Sequence, residues 1–287
     1  MAAPLAAMAP LAAMAPLPIM APLAAAERVL VIAPHPDDET LCCAGLVQQA
    51  LGAGAAVGIV WLTAGDGFEL DAVVTERTWH PRGAALERLG LQRLSEAHAA
   101  ADRLGVPRAQ QYVLGFPDRD LSVLLRGPPL EPLRSGYTGV SAVPYAEALH
   151  PGSVYSGAAV RSGLREVLER FRPTLVLAAA PEDRHPDHSA SGALATGLVK
   201  SEFPGTRIAY WIIHGGLEWP APHGLHPQRA LRPPARAAGR AWLSLPLDAR
   251  QVQIKLAALR EHHTQLRVMR RFLYSYVRAN ELYAPLP

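Results

Sequence analysis

Two short runs of this chain concentrate the side chains that can do chemistry. Ala33-Pro-His-Pro-Asp-Asp-Glu-Thr40 holds one imidazole and three carboxylates within five residues, and Ala180-Pro-Glu-Asp-Arg-His-Pro-Asp-His-Ser189 adds two imidazoles among further acids. That much negative charge in the first run would repel a phosphate and attract a divalent cation. The glycine-rich phosphate loop that a dinucleotide-binding fold carries at its first strand–helix turn is missing there. Two imidazole nitrogens and a carboxylate oxygen make a three-ligand site with open positions, the arrangement of a catalytic metal. Zinc suits these donors, and Fe(II), Co(II) or Ni(II) also bind ligands of this hardness. With one acid of the Asp37–Asp38 pair on the metal, the other is free to take a proton from an activated water and return it to a leaving group. Capping by Asp38 or Ser189 would explain one polar residue at a helix start. It does not explain three acids and a His followed by a second His-rich turn.

Something must bring the two runs together. Continuous apolar stretches predict strands over 28–33, 56–63, 111–114, 174–180 and 206–214. They alternate with helical patterns over 39–52, 83–104, 157–171, 189–202 and about 249–279. The expected fold is α/β and Rossmann-like, a mostly parallel sheet with helices on both faces. Ligands in such sheets sit at the carboxyl ends of the strands, where the strand order reverses. If strands 28–33 and 174–180 flank that reversal, His35, Asp37, Asp38, His185 and His188 converge on one crevice. Two long stretches break the alternation: 116–156 with six prolines and 218–240 with five. Loops of that length read as lids or walls around a site.

Composition narrows the class further. With 287 residues, 49% hydrophobic and 18% charged, the chain can bury a core and is too apolar to be disordered. The net charge is only +3, and all but Lys200 and Lys255 of the 28 basic residues are Arg. No concentrated basic stripe accompanies that Arg habit, so nucleic acid is not an expected partner. Cys42 and Cys43 are the only cysteines and are adjacent; a bridge between neighbours would be strained, which leaves no disulfide framework and no Cys-rich metal site. Residues 1–26 form an Ala/Pro/Leu/Met extension built on six-residue repeats, without a charge before Glu27. Its prolines defeat a continuous membrane-spanning helix. It lacks the basic start of a secretory signal but ends in a cleavage-like Ala24-Ala25-Ala26. It is expected to lie outside a single folded domain over 27–287, with a cytoplasmic location slightly favoured and export open if the extension acts as a signal.

The His-Pro-Asp-Asp-Glu and His-Pro-Asp-His motifs resemble those of the PIG-L/LmbE-like family of metal-dependent N-acetylglucosaminyl deacetylases, over nearly the whole chain from residue 28. Thr63-Ala-Gly-Asp66, Arg93-Leu-Ser-Glu96 and Phe116-Pro-Asp118 are similar to that family's further motifs, and Lys255, Gln265 and Glu281 to its closing segment. The resemblance implies that His35, Asp38 and His188 hold Zn2+, that Asp37 is the general base and acid, and that His185 stabilises the oxyanion. It implies that Asp187 orients a histidine and that Arg93 and Asp118 contact the sugar. The implied reaction is hydrolysis of an acetamide on an N-acetylated amino sugar or glycan, a linear amide C–N bond. Arg119 departs from the family by standing where a Gly usually follows the Pro-Asp pair, and Cys42-Cys43 replace small residues. Tyr137, Tyr145 and Tyr155 can stack on sugar rings or simply pack, and the His-rich stretch 214–226 can form another pocket wall. Two rival readings share the residues: a non-haem Fe(II) oxygenase, whose first His and carboxylate are usually two apart on a β-barrel rather than three apart as here, and a catalytically degenerate glycan-binding domain.

Overall fold

The computed structural model describes residues 16–76, 79–128 and 130–286. The apolar runs become β1 (Arg28–Ala33), β2 (Ala56–Thr63), β3 (Gln111–Phe116), β4 (Leu175–Ala179) and β5 (Arg207–Trp211). All five are parallel and nearly wholly buried, as continuous Val/Ile/Leu runs require when helices cover both faces. They belong to a seven-stranded sheet of order β3-β2-β1-β4-β5-β7-β6. Its last two members, β6 (Leu243–Pro246) and β7 (Asn280–Pro285), run antiparallel at one edge. The chain winds from β1 outward through β2 to β3, then returns to build β4 on the other side of β1. The reversal therefore falls between β1 and β4, the two strands whose ends carry the His/Asp runs.

One face of the sheet is covered by α1 (Asp38–Gly52), α3 (Ala84–Leu104) and α7 (Ala249–Glu261), the other by α5 (Gly157–Phe171) and α6 (Pro186–Glu202). Short helices α2 (Glu69–Glu76) and α4 (Leu121–Arg126) punctuate the loops after β2 and β3. Helix α6 approaches β4 closely: a Cβ on Gly192 would meet the Ala179 carbonyl oxygen at 2.0 Å, so only glycine fits there. A buried ion pair, Lys255 Nζ to Glu281 Oε1 at 2.7 Å, ties α7 to β7, and Glu281 also accepts the Gly45 and Leu46 amides of α1.

Three expectations change. The helix expected over about 249–279 is broken at His262 (φ −78°, ψ 64°) into α7 and α8 (His263–Tyr274). The break turns the buried His262 ring toward Glu39, 3.2 Å away, so a tertiary contact overrides an otherwise helical pattern. Of the extension set apart over residues 1–26, residues 1–15 lie outside the described residues, while Pro18 and Met20 hydrogen-bond Ser244 on β6 and Leu17, Met20 and Leu23 pack on the core. Docking there shields both an apolar flank and an unpaired strand edge. Cys42 and Cys43, expected to remain unbridged, are joined to each other on α1.

Candidate active site

His35, Asp37 and Asp38 follow β1 directly, and Asp183, His185, Asp187 and His188 follow β4, so the parallel sheet delivers both runs to one crevice. His188 lies in the first turn of α6, which begins at Pro186, three residues earlier than the periodicity suggests. His35 Nδ1 and His188 Nε2 lie 3.1 Å apart, and Asp38 Oδ2 is 3.4 Å from the first and 3.3 Å from the second. Three donors bound at ~2.0–2.1 Å to one tetrahedral ion would be about 3.3–3.4 Å apart. The donor set therefore fits a divalent metal without rearrangement. His185 joins His35 and His188 in a looser group, and Asp118 and Asp187 join His35 in another, each with ligand atoms within 4.8 Å of one another.

The charges point the same way. Burial alone would lower the His188 pKa, but the Asp38 and Asp183 carboxylates beside it outweigh burial and push it up to about 10. Buried carboxylates that crowd a histidine in this way call for positive charge, which a cation supplies as well as a proton does. Burial also pushes Asp37 up to about 7, partly offset by the Arg93 guanidinium 3.6 Å away. Asp37 adopts φ 136°, ψ −27°, a conformation disfavoured for a residue with a Cβ, and strain of this kind concentrates at functional positions. Its amide is held by Glu39 Oε2 at 3.1 Å. Burial and the charges of His35 and His188 drive the His185 pKa down to about 3, so the ring is neutral, and among the described residues its Nδ1 has no hydrogen-bond partner.

A further layer holds these groups in place. Asp118 Oδ1 and Asp187 Oδ2 face the outer nitrogen of His35 at 3.1 and 3.5 Å. Asp187 also accepts the Arg119 and Ser122 amides at 2.8 and 2.7 Å, pinning the turn after β3. Asp183, not among the site residues expected from the sequence, lies 3.2 Å from His188 Nδ1 and accepts amides from His185, Ile213 and His214. Its signal was its place in the same run, five residues before His188. Metal-ligating histidines usually need such a carboxylate behind them. We expect Asp183→Asn to weaken metal binding ~10–100-fold, measured by competition with a chromophoric chelator; unchanged affinity would show that the carboxylate is idle.

The crevice is a cavity of about 200 Å³. His35, Asp37, Asp38, Asp118, His185 and Arg93 line its polar side, and Leu41, Ile213, Met269, Phe272 and Leu273 its apolar side. Arg93 lines it while donating to the Gly65 and Pro36 carbonyls, so much of its donor capacity is spent on main chain. Arg119 also lines the cavity and sits at φ 67°. This is the left-handed region that glycine occupies freely, which explains the family's Gly at that turn. Tyr145 and Tyr155 are buried away from the cavity, Tyr145 donating to Asp66 Oδ2, and Tyr137 packs beside Leu86 and Leu89; none of the three lines the crevice. From the stretch 214–226 only His214 lines it, its ring stacked on Phe272 at 5.7 Å.

The chain is similar in sequence to one family model and to curated enzymes, and in fold to solved structures. The model of the PIG-L family, described as GlcNAc-PI de-N-acetylase, matches residues 30–199, more than half of the chain and both His/Asp runs. A 1D-myo-inositol 2-acetamido-2-deoxy-alpha-D-glucopyranoside deacetylase of Mycobacterium sp. (strain JLS) is 27% identical over 262 residues, spanning 84% of this chain and 75% of that protein. The enzyme of the same description from Corynebacterium efficiens is 28% identical over 250 residues, 83% and 72% of the two chains. Among solved structures, N,N'-diacetylchitobiose deacetylase from Pyrococcus horikoshii shares the fold, with a TM-score of 0.55, 20% identity and coverage of 91% of this chain and 84% of that one.

Proposed function

We infer the function from membership and site together: the chain belongs to the PIG-L (GlcNAc-PI de-N-acetylase) family, and it is a metal-dependent hydrolase that removes the acetyl group from an N-acetylated amino sugar or its conjugate. The observation that carries this reading is the triangle of His35, Asp38 and His188 donor atoms at 3.1–3.4 Å, set beside an uncommitted acid. A divalent cation held by those three atoms would acidify a water and polarise the amide carbonyl. We assign zinc, whose preference for nitrogen and oxygen donors at tetrahedral spacing matches the set.

The chain's own groups do the rest. Asp37 takes the proton of the attacking water at its carboxylate and delivers it to the departing amine nitrogen. His185, across the cavity and held neutral by burial, offers a ring N–H to the carbonyl oxygen as it gains negative charge. Asp183 fixes the ring of His188 from behind, and Asp118 and Asp187 fix that of His35. Arg93 positions Asp37 and Asp118, 3.6 and 3.8 Å away, and contacts the sugar only with what donor capacity remains. The apolar wall from α8 keeps bulk water off the reacting amide. A cavity of about 200 Å³ is smaller than a drug-sized pocket of ~300–1,000 Å³, so it admits one sugar ring with its acetamide and leaves the remainder of a conjugate outside.

The oxygenase reading loses its scaffold, because the site stands on a parallel sheet between helices and not on a β-barrel. No helix among the described residues is long and apolar enough to cross a membrane. The test is acetate and amine release from a panel of N-acetylated sugars and glycans, with and without exhaustive chelation. We expect turnover of at least one member, abolished by metal removal and restored by Zn(II). Turnover that survives verified metal removal would refute the cation's role, and a silent panel would leave the glycan-binding reading in possession.

A further inference from the structure

The Pro-rich loop after β5 builds a second cavity, of about 430 Å³, that shares no lining residue with the first. Trp219, Pro220, Pro222, Arg229, Arg232 and Arg278 form its walls. Arg278 is the unusual member. It is 1% exposed; its Nε donates to the Ser275 carbonyl at 2.6 Å and one Nη to the Pro222 carbonyl at 2.7 Å, while the other Nη has no partner among the described residues. Among the described residues two other Arg or Lys side chains are comparably buried, and both face carboxylates: Arg93 lies near Asp37 and Asp118, and Lys255 is paired with Glu281. Among the described residues no carboxylate pairs with Arg229, Arg232 or Arg278. Burial and the like charge of Arg229 both lower the Arg278 pKa.

A guanidinium that is buried, short of an acceptor and next to a second positive charge is costly unless an anion completes it. The walls are fixed in advance. Asn280 brackets Leu231 through both its amide nitrogen and its oxygen, Ala279 donates to the Arg229 carbonyl at 3.0 Å, and Trp219 Nε1 donates to the Arg232 carbonyl at 2.8 Å. We propose that this groove is an anion-binding site for a phosphate-class oxyanion, free or as a monoester, gripped by Arg229, Arg232 and Arg278. Three guanidiniums offer more donors than the two oxygens of a carboxylate can use, and the planar fork matches phosphate geometry. The Trp219–Tyr276–Phe272 run of rings, at 5.8 and 5.4 Å, separates the groove from the first cavity, so the site stands independently of the deacetylase reading.

The test is calorimetric titration of the full chain with inorganic phosphate and, separately, with glycerol 3-phosphate, at constant ionic strength and with chloride as control. We expect saturable binding at one site per chain, weakened roughly tenfold or more in the Arg229→Ala/Arg232→Ala double variant, whose side chains are exposed and whose fold a thermal melt verifies. Arg278→Lys keeps the charge but loses the fork, and is also expected to bind more weakly. Tighter binding of the monoester identifies a phosphorylated conjugate as the ligand, and tighter binding of inorganic phosphate identifies the free ion; either order supports the site. No saturable binding of either probe, or equal affinity in wild type and the double variant, overturns the proposal.

Discussion

Asp37→Asn retains its metal and loses ~10²–10⁴ of turnover, the span that a positioned general acid–base contributes. The substitution keeps the size of the side chain and removes only its capacity to hold a proton in transit. Metal content is expected to persist because the Asp37 carboxylate is paired with Arg93 at 3.6 Å, while the donor triangle is formed by its neighbour Asp38. The backbone supports the choice of Asn over bulkier probes, since Asn tolerates the positive φ that residue 37 adopts better than other side chains do. The measurement is kcat by acetate release beside elemental analysis of the same preparation. A metal-replete variant that turns over within about tenfold of wild type would mean that another group carries the proton. A variant that loses its metal would move Asp37 into the ligand set.

The sheet was legible because each of its five parallel strands is an apolar run with nothing to gain from water. Runs such as Arg28-Val-Leu-Val-Ile-Ala33 have few conformations open to them other than a strand buried on both faces. The proline-flanked His/Asp runs were legible for a related reason: each begins at a strand end, where a doubly wound sheet gathers its ligands. Patterns that depend on distant partners were not legible. The break at His262 carries no Gly or Pro, and contacts with other helices accompany it: Glu39 and Thr40 meet the His262 ring, and Glu96 accepts the Thr264 amide. Strand β7 lies just beyond the helix expected to end at about 279, in a stretch assigned no element, and it becomes a strand by pairing with β5 and with β6, which is itself only four residues long.

Within the site, the runs that line the crevice were visible, and Asp187 was expected behind a histidine, but the other carboxylates that face the rings were not legible. Asp183 is one acid among several in its run until the fold places its Oδ2 beside His188. Asp118 illustrates the converse. Its similarity to a family motif suggests a sugar contact; the structure sets its buried side chain against His35 Nε2 and Arg93 while it also lines the cavity. Spacing along a chain reports which chemistry is present; it does not report which of two like groups faces inward.

His188→Ala is expected to lose metal affinity by a larger factor than any substitution behind it. Structural zinc sites bind with ~10–16 kcal/mol in all, so one ligand of about four carries ~2.5–4 kcal/mol, on the order of 10²–10³ in affinity. That exceeds the ~10–100-fold expected for a carboxylate that only orients a ligand, which ranks His188→Ala above Asp183→Asn. The substitution also strands two acids: Asp38 and Asp183 lie 3.3 and 3.2 Å from opposite nitrogens of the ring, and without it both remain buried and lose their shared partner. The fold is therefore checked by circular dichroism, and His188→Gln, which fills part of the space with an amide, serves as a second variant. Zinc titration of both against a competing chelator gives the readout, with turnover expected to return in part at high Zn(II) because His35 and Asp38 are still in place. Full occupancy at equimolar zinc in a folded His188→Ala protein would remove that ring from the ligand set. The centre would then have to be rebuilt around His35, Asp118 and Asp187, the group among the described residues that lacks His188 and whose ligand atoms lie within 4.8 Å of one another.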